Sequence, residues 1–169
     1  MNTVMAMARP KRAAMPAKAK ALYAVRDADR TQQALLAAAE VEFAKNGLAG
    51  ARVDVIAARS EANKRMLYYY FGSKEKLYIA VLERAYRAMR QAETALNLTH
   101  LEPLDAIKAW AEFKFDYFLD NPTIIPLLAG ENMHNARFLK RARNLRAMHL
   151  SLLAVLRKII AKVDSATQT

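Results

Sequence analysis

Residues 63–74 hold a dense set of side chains able to bond a polyanion: Asn63, Lys64, Arg65, Met66, Tyr68, Tyr69, Tyr70 and Lys74. A guanidinium can take guanine O6 and N7 together, which makes Arg65 the first choice for reading a base, and Met66 suits a thymine methyl. Lys64 and Tyr69 are expected on the same outward side. Tyr68 and Tyr70 offer hydroxyls to phosphates but stand beside Phe71; Tyr68 is assigned to the core, and Tyr70 stays open between core and phosphate. Lys74, with Ser73 ahead of it as a helix cap, adds an ammonium to the set.

The elements that must position these groups follow from spacing. Val53, Ile56 and Ala57 fall at i, i+3, i+4, which predicts a short helix over 53–60. After a break at 60–63, Asn63 caps a second helix over 64–71, with Leu67, Tyr68 and Phe71 inward. Two helices this short cannot bury both faces, so a third must cover them. That one runs from 27 or 29 to 46, with Leu35, Leu36, Ala39 and Phe43 as its apolar stripe, Val41 a candidate member, and Gly47 as its stop. Arg52 precedes the 53–60 helix, near enough to a duplex to meet a phosphate. A short helix, a tight turn and a second helix opening on Lys-Arg is the organisation of a DNA-reading helix-turn-helix. Periodicity alone fits an αα-hairpin with a solvated basic face equally well.

The order of residues separates the two. Leu67-Tyr68-Tyr69-Tyr70-Phe71-Gly72-Ser73-Lys74-Glu75-Lys76-Leu77 closely resembles the signature of the TetR (tetracycline-repressor-like) family of transcriptional regulators. Ala38-Ala39-Glu40-Val41-Glu42-Phe43-Ala44-Lys45-Asn46-Gly47 resembles the end of that family's first helix, and Ile56-Ala57 fits the next slot. The resemblance covers 30–78. It implies that Arg52, Asn63, Lys64, Arg65, Met66, Tyr69, Tyr70 and Lys74 meet DNA, with Lys74 as the family's phosphate-binding lysine. The chain departs from the pattern twice. Where the family has Thr or Ser as a cap, it has Ala51 and Arg52, a loss of about 1 kcal/mol. Where the family commonly has Gly in a left-handed turn, it has Glu61, a cost of roughly 1–2 kcal/mol.

Composition sets the class. The chain is 54% hydrophobic with four Gly and five Pro, which argues for a helix-rich globule. Its formal charge of +11 splits as +7 over residues 1–80 and +4 over the rest, an excess on the half that holds the basic helix, as a polyphosphate partner favours. Zero cysteine removes disulfides, thiolate catalysis and Cys-based zinc sites. His134 and His149 lack carboxylates at ligand spacing, so no metal site is expected. No Gly-rich phosphate loop and no nucleophile with a base is present, so no catalytic residue, cofactor or enzyme activity is expected. No apolar run is long enough to span a membrane, and a cytoplasmic location is expected.

The predicted architecture is all-α: an N-terminal three-helix helix-turn-helix DNA-binding domain followed by a helical ligand and dimerisation bundle. Residues 1–26 form a basic disordered arm in which 17–25 can become helical; 27–76 form the DNA-binding domain; 77–169 form a helical regulatory domain, incomplete beside its family. A linking helix over 74–98 has Leu77, Val81, Leu82, Tyr86 and Met89 inward and Arg84, Arg87 and Arg90 solvated. Helices then follow at 104–119, 123–129 and 131–163. Trp110, Phe113, Phe115, Tyr117, Phe118, Met133, Phe138 and Met148 make an aromatic and Met-rich interior. Trp110, Phe113, Tyr117 and Met133 are the candidates to line an effector pocket, although any bundle core uses such residues. The basic run Arg137, Lys140, Arg141, Arg143, Arg146 is read as a solvated face.

The resemblance implies a ligand-responsive repressor: a homodimer on a palindromic DNA duplex, released when a small molecule shifts the linking helix. The chain ends in a polar tail soon after Ile159-Ile160, where the family continues for two more helices, so the usual dimer interface is expected to be largely missing. The apolar stripe Leu145, Met148, Leu152, Leu156, Ile159 is a candidate substitute. The alternative is a truncated DNA-binding or interaction module without ligand control.

Overall fold

The computed structural model describes residues 17–133, 136–141, 154, 157 and 159–161, with side chains from Val25 onward. The described residues are helical throughout, with no strand. In chain order they form α1 (Ala17–Gly50), α2 (Val53–Arg59), α3 (Lys64–Phe71), α4 (Lys74–Thr94), α5 (Pro103–Asp120) and α6 (Ile124–Met133), with 3-10 turns at Leu98–His100 and Leu139–Arg141.

Helix α1 begins at Ala17 rather than at 27. Alanine at 17, 19, 21 and 24 gives this basic stretch high helix propensity, and it continues the helix behind it. Gly47 breaks the helical path at φ 62 and ψ 177, a left-handed φ that suits glycine, and one further turn carries the chain to Gly50. Helix α3 ends at Gly72, whose φ of 75 lets its N–H reach the Tyr68 carbonyl at 2.8 Å. Helix α4 stops at Thr94 and not at 98, because Asn97 turns left-handed (φ 49) and starts a 3-10 turn.

One apolar core joins α1, α2, α3, α4 and α6. Leu35, Leu36, Ala39 and Phe43 of α1 meet Ile56 of α2, Leu67 and Phe71 of α3, Leu77, Tyr78, Val81, Leu82, Tyr86 and Met89 of α4, and Leu127 of α6. All five inward residues expected of α4 are buried, as are the four firm ones of α1, while Val41 is exposed. Tyr78 stands edge-on to Phe43 at 5.0 Å and to Phe138 at 5.4 Å, tying the 136–141 segment to the head. A smaller cluster of Leu98, Ala106 and Ile159 lies against Trp110.

Beyond α5 the division differs from the expected one. Helix α6 runs without interruption through 129–131 to Met133, and the break comes at Ala136, whose φ is 53. Glu131 therefore lies inside α6 and does not open a long helix. Met133, expected in the interior, is 82% exposed: it stands two residues past buried Glu131, about 200° round the helix. Phe115 is exposed too, while Phe118 is partly buried against the main core and Phe138 is buried within it. Arg90, expected on the solvated face of α4, instead turns in to pair with Glu93. His134, Arg143, Leu145, Arg146, Met148, His149, Leu152 and Leu156 lie outside the described residues.

Candidate nucleic-acid interface

Helix α3 is presented on a turn whose bonds can be followed one by one. At the end of α2, Ala62 N–H reaches the Ala57 carbonyl at 3.1 Å and Glu61 N–H reaches Ala58 at 3.3 Å, the bond pair of a Schellman ending. Glu61 occupies the left-handed position (φ 55) where glycine is the unstrained choice. Asn63 then opens α3, its Oδ1 accepting from Met66 N–H at 2.8 Å. The cap expected from sequence is formed, on an exposed residue.

Leu67 and Phe71 bury α3 against the head, which turns Lys64, Arg65 and Tyr69 to solvent and leaves Met66 partly exposed. Tyr69 is 79% exposed and stacks edge-on with Tyr70 at 5.3 Å. The assignment of Tyr68 is corrected: it is 43% exposed, whereas Tyr70 is the partly buried tyrosine packed on the core. Both flank the Leu67–Phe71 direction at about 80° on opposite sides. Periodicity therefore ranks them equally, and the packing of neighbouring helices decides.

Two expected DNA ligands carry protein partners. Lys64 Nζ lies 3.0 Å from Asp54 Oδ1, an exposed ion pair between α3 and α2. The hydrogen bond that Lys64 donates to Asp54, and then the Asp54 charge, push the Lys64 ammonium above its ordinary pKa. Lys74 Nζ donates to the carbonyls of Ala51 at 2.8 Å and Ala49 at 3.2 Å, so it holds the link between α1 and α2. Ser73 caps α4 as expected, its hydroxyl accepting from Lys76 N–H at 3.1 Å.

Arg52 is exposed at the start of α2, in extended conformation with no side-chain cap of its own. Its N–H is taken instead by Glu42 Oε1 of α1 at 3.0 Å, and the same oxygen accepts from Asn46 Nδ2 at 2.9 Å. Glu42 was not singled out from sequence. A signal existed: it falls seven residues after Leu35, on the apolar face of α1, where an acid needs a partner.

The effector candidates do not form one wall. Trp110, Phe113 and Tyr117 are partly buried on α5; Trp110 Nε1 donates to Glu93 at 3.2 Å, and Phe113 tilts against Tyr117 at 5.4 Å. A small apolar crevice of about 10 Å³ lies between α4 and α6, lined by Leu82, Ala85, Tyr86, Met89, Ile124, Leu127 and Leu128. Beside it, Lys114 pairs with buried Glu93 and contacts Met89 Sδ at 3.3 Å, its ammonium over the Trp110 and Phe118 rings. Burial pulls the Lys114 pKa down, against the opposing pull of Glu93. Tyr78 bonds to fully buried Glu131, and burial with that carboxylate pushes its hydroxyl well above the ordinary tyrosine range.

Residues 35–81 match the family model of bacterial regulatory proteins, tetR family, and residues 103–166 match the tetracyclin repressor-like C-terminal domain. The HTH-type transcriptional repressor NicS of Pseudomonas putida is 42% identical over 133 residues, which are 79% of this chain and 63% of that protein. The chain thus spans less than two thirds of this relative's length. The structure of the putative transcriptional regulator SCO4942 from Streptomyces coelicolor is 31% identical, with a TM-score of 0.54 and 76% of each chain covered. A TetR-like transcriptional regulator from Rhodococcus sp. RHA1 shares the fold at a TM-score of 0.65 and 23% identity, covering 78% of this chain and 70% of its own. With both halves matched, and with the capped, outward-facing α3 inside the first, the chain belongs to the TetR family.

Proposed function

We propose that this protein is a sequence-specific DNA-binding transcriptional regulator, a ligand-responsive repressor that works in the cytoplasm as a homodimer on a palindromic duplex. The observation that carries this reading is α3 itself: Leu67 and Phe71 anchor it, and Lys64, Arg65 and Tyr69 stand clear of the surface. Arg65 reads a guanine, Met66 contacts a thymine methyl, and the Asn63 amide and Tyr69 add polar contacts in the major groove. Arg52, Tyr70 and Lys74 hold phosphates. An ammonium has three donors and Lys74 commits two to carbonyls, so one remains for the duplex. Lys64 must exchange Asp54 for DNA, which sets part of the binding cost.

A small-molecule effector acts through α4. This helix opens beside the head and carries Leu82, Ala85, Tyr86 and Met89 along the crevice it shares with α6. Trp110, Phe113 and Tyr117 lie on the adjoining α5, and the Glu93–Lys114 pair joins α5 to α4. A ligand that widens the crevice moves α4 only by binding one position of the helix better than the other.

The test is mass in solution together with selection from a mixed-sequence duplex library at fixed salt. A dimer that enriches a palindrome is the expected result. A monomer that binds without sequence preference would overturn regulation by this route and favour a simple DNA-binding module.

A further inference from the structure

We infer that Glu42 is a positioning residue for DNA binding: a buried carboxylate on α1 holds the backbone N–H of Arg52 at the start of α2 and fixes Arg52 toward the phosphate backbone. This rests on the proposed phosphate contact of Arg52.

Glu42 is only 4% exposed, yet no cation pairs with it among the described residues. Its Oε1 is spent on one backbone N–H, that of Arg52, and on the Asn46 amide that steadies it. A buried carboxylate committed to a main-chain donor ten residues away ties two helices through a single oxygen. The donor belongs to the residue whose own side chain makes no cap bond. From the opposite side Lys74 holds the carbonyls of Ala49 and Ala51, so the 49–52 link is gripped by an anion at one end and a cation at the other. Arg52 leaves this grip with its side chain exposed. Without Glu42 the link keeps the Lys74 anchor and loses the one that sets the Arg52 backbone.

The sign of the effect separates positioning from electrostatics. An acid near DNA repels it, so removing a bystander charge tightens binding. Removing a positioning acid weakens binding although the protein becomes more basic.

The experiment measures binding of the full chain to a labelled mixed-sequence duplex across a salt series, with melting temperature in parallel. Arg52→Ala is expected to lower the slope of log affinity against log salt by about one per head, roughly a 3.5-fold difference for each fourfold change in salt. Glu42→Ala should lose the same slope, and the double variant no more than Arg52→Ala alone. Glu42→Gln keeps an acceptor oxygen and should retain the wild-type slope. If Glu42→Ala melts below the assay temperature, Glu42→Asp, whose acceptor sits one methylene short, is expected to show the loss. A lower melting temperature with an unchanged slope, or tighter binding, in Glu42→Ala and Glu42→Asp would overturn the inference while leaving Arg52 in place. An unchanged slope in Arg52→Ala would defeat the phosphate contact and this inference with it.

Discussion

The head and the C-terminal half of this chain distribute polarity in opposite ways. In α1–α3 the described charges stay out of the core, Glu42 apart. In α4–α6 the ionic groups go inside: Glu93 and Glu131 are buried, with Arg90 and Lys114 drawn in around Glu93. Meanwhile Leu104, Phe115 and Leu119 of α5 and Ile125 of α6 face solvent. The head is held by an apolar centre in which α1, α2 and α3 meet α4 and α6. The outer helices lean on charge pairs and on one another, and such pairs have two well-separated arrangements, made and broken.

The comparison breaks first at the core. Leu67→Ala removes the main anchor of α3, and a loss of about 3 kcal/mol should lower the melting temperature and abolish duplex binding together. Leu104→Ser on the exposed row of α5 should leave thermal stability within about 0.5 kcal/mol of the parent. Equal losses in a paired calorimetric melt would contradict the contrast.

Next in size is the buried charge cluster. Glu93→Leu strands Lys114 and Arg90 at the junction of α4 and α5 and should cost about 3 kcal/mol. Adding Lys114→Met should restore part of that loss, because a cation no longer lies buried without its partner. A denaturant titration of the single and double variants decides it. Additive losses would mean that Glu93 and Lys114 do not act as a pair.

Alkaline pH probes the same half. Tyr78 has its folded pKa raised above the ordinary 10.0, so the stability it contributes is complete below pH 10 and is lost as pH rises from there toward the folded value. The unfolded chain ionises first and gains from doing so. Tyr78→Phe should therefore lose stability less steeply above pH 10 than the parent in melts taken across that range. Identical slopes would show that the Tyr78 hydroxyl is not protected.

The smallest effect belongs to the caps of the head. Asn63→Ala removes the Met66 bond and should cost about 1 kcal/mol, with Asn63→Asp restoring most of it in chemical denaturation.

Much of the head could be read from its residues. The Leu35–Phe43 stripe, the Asn63 and Ser73 caps and the Gly47 stop follow from local rules, because each acts within one turn of chain, while the left-handed Glu61 followed only from the family resemblance. Tyr68 and Tyr70 were not separable, since which flank of a helix is covered depends on its neighbours. Glu42, and the grip of Lys74 on two carbonyls, escaped because their partners are backbone atoms brought close only by the fold. The acids at 42, 93 and 131 do lie on the apolar faces of their helices, a signal that predicts burial but names no partner. The outer half was less legible. Aromatics at helical spacing promise a core without saying which are covered, and the left-handed turn at Ala136 has no glycine or proline to mark it.

The most direct test of the central claim is base preference in the reading helix. Parent, Arg65→Ala and Lys74→Ala would be carried through selection on one mixed-sequence duplex library at one salt concentration. The account predicts that Arg65→Ala relaxes discrimination at a single position, worth about 1–3 kcal/mol, while Lys74→Ala weakens all sequences alike and keeps the motif. An enriched motif that Arg65→Ala leaves intact, or no enriched motif in the parent, would contradict the claim that α3 reads DNA.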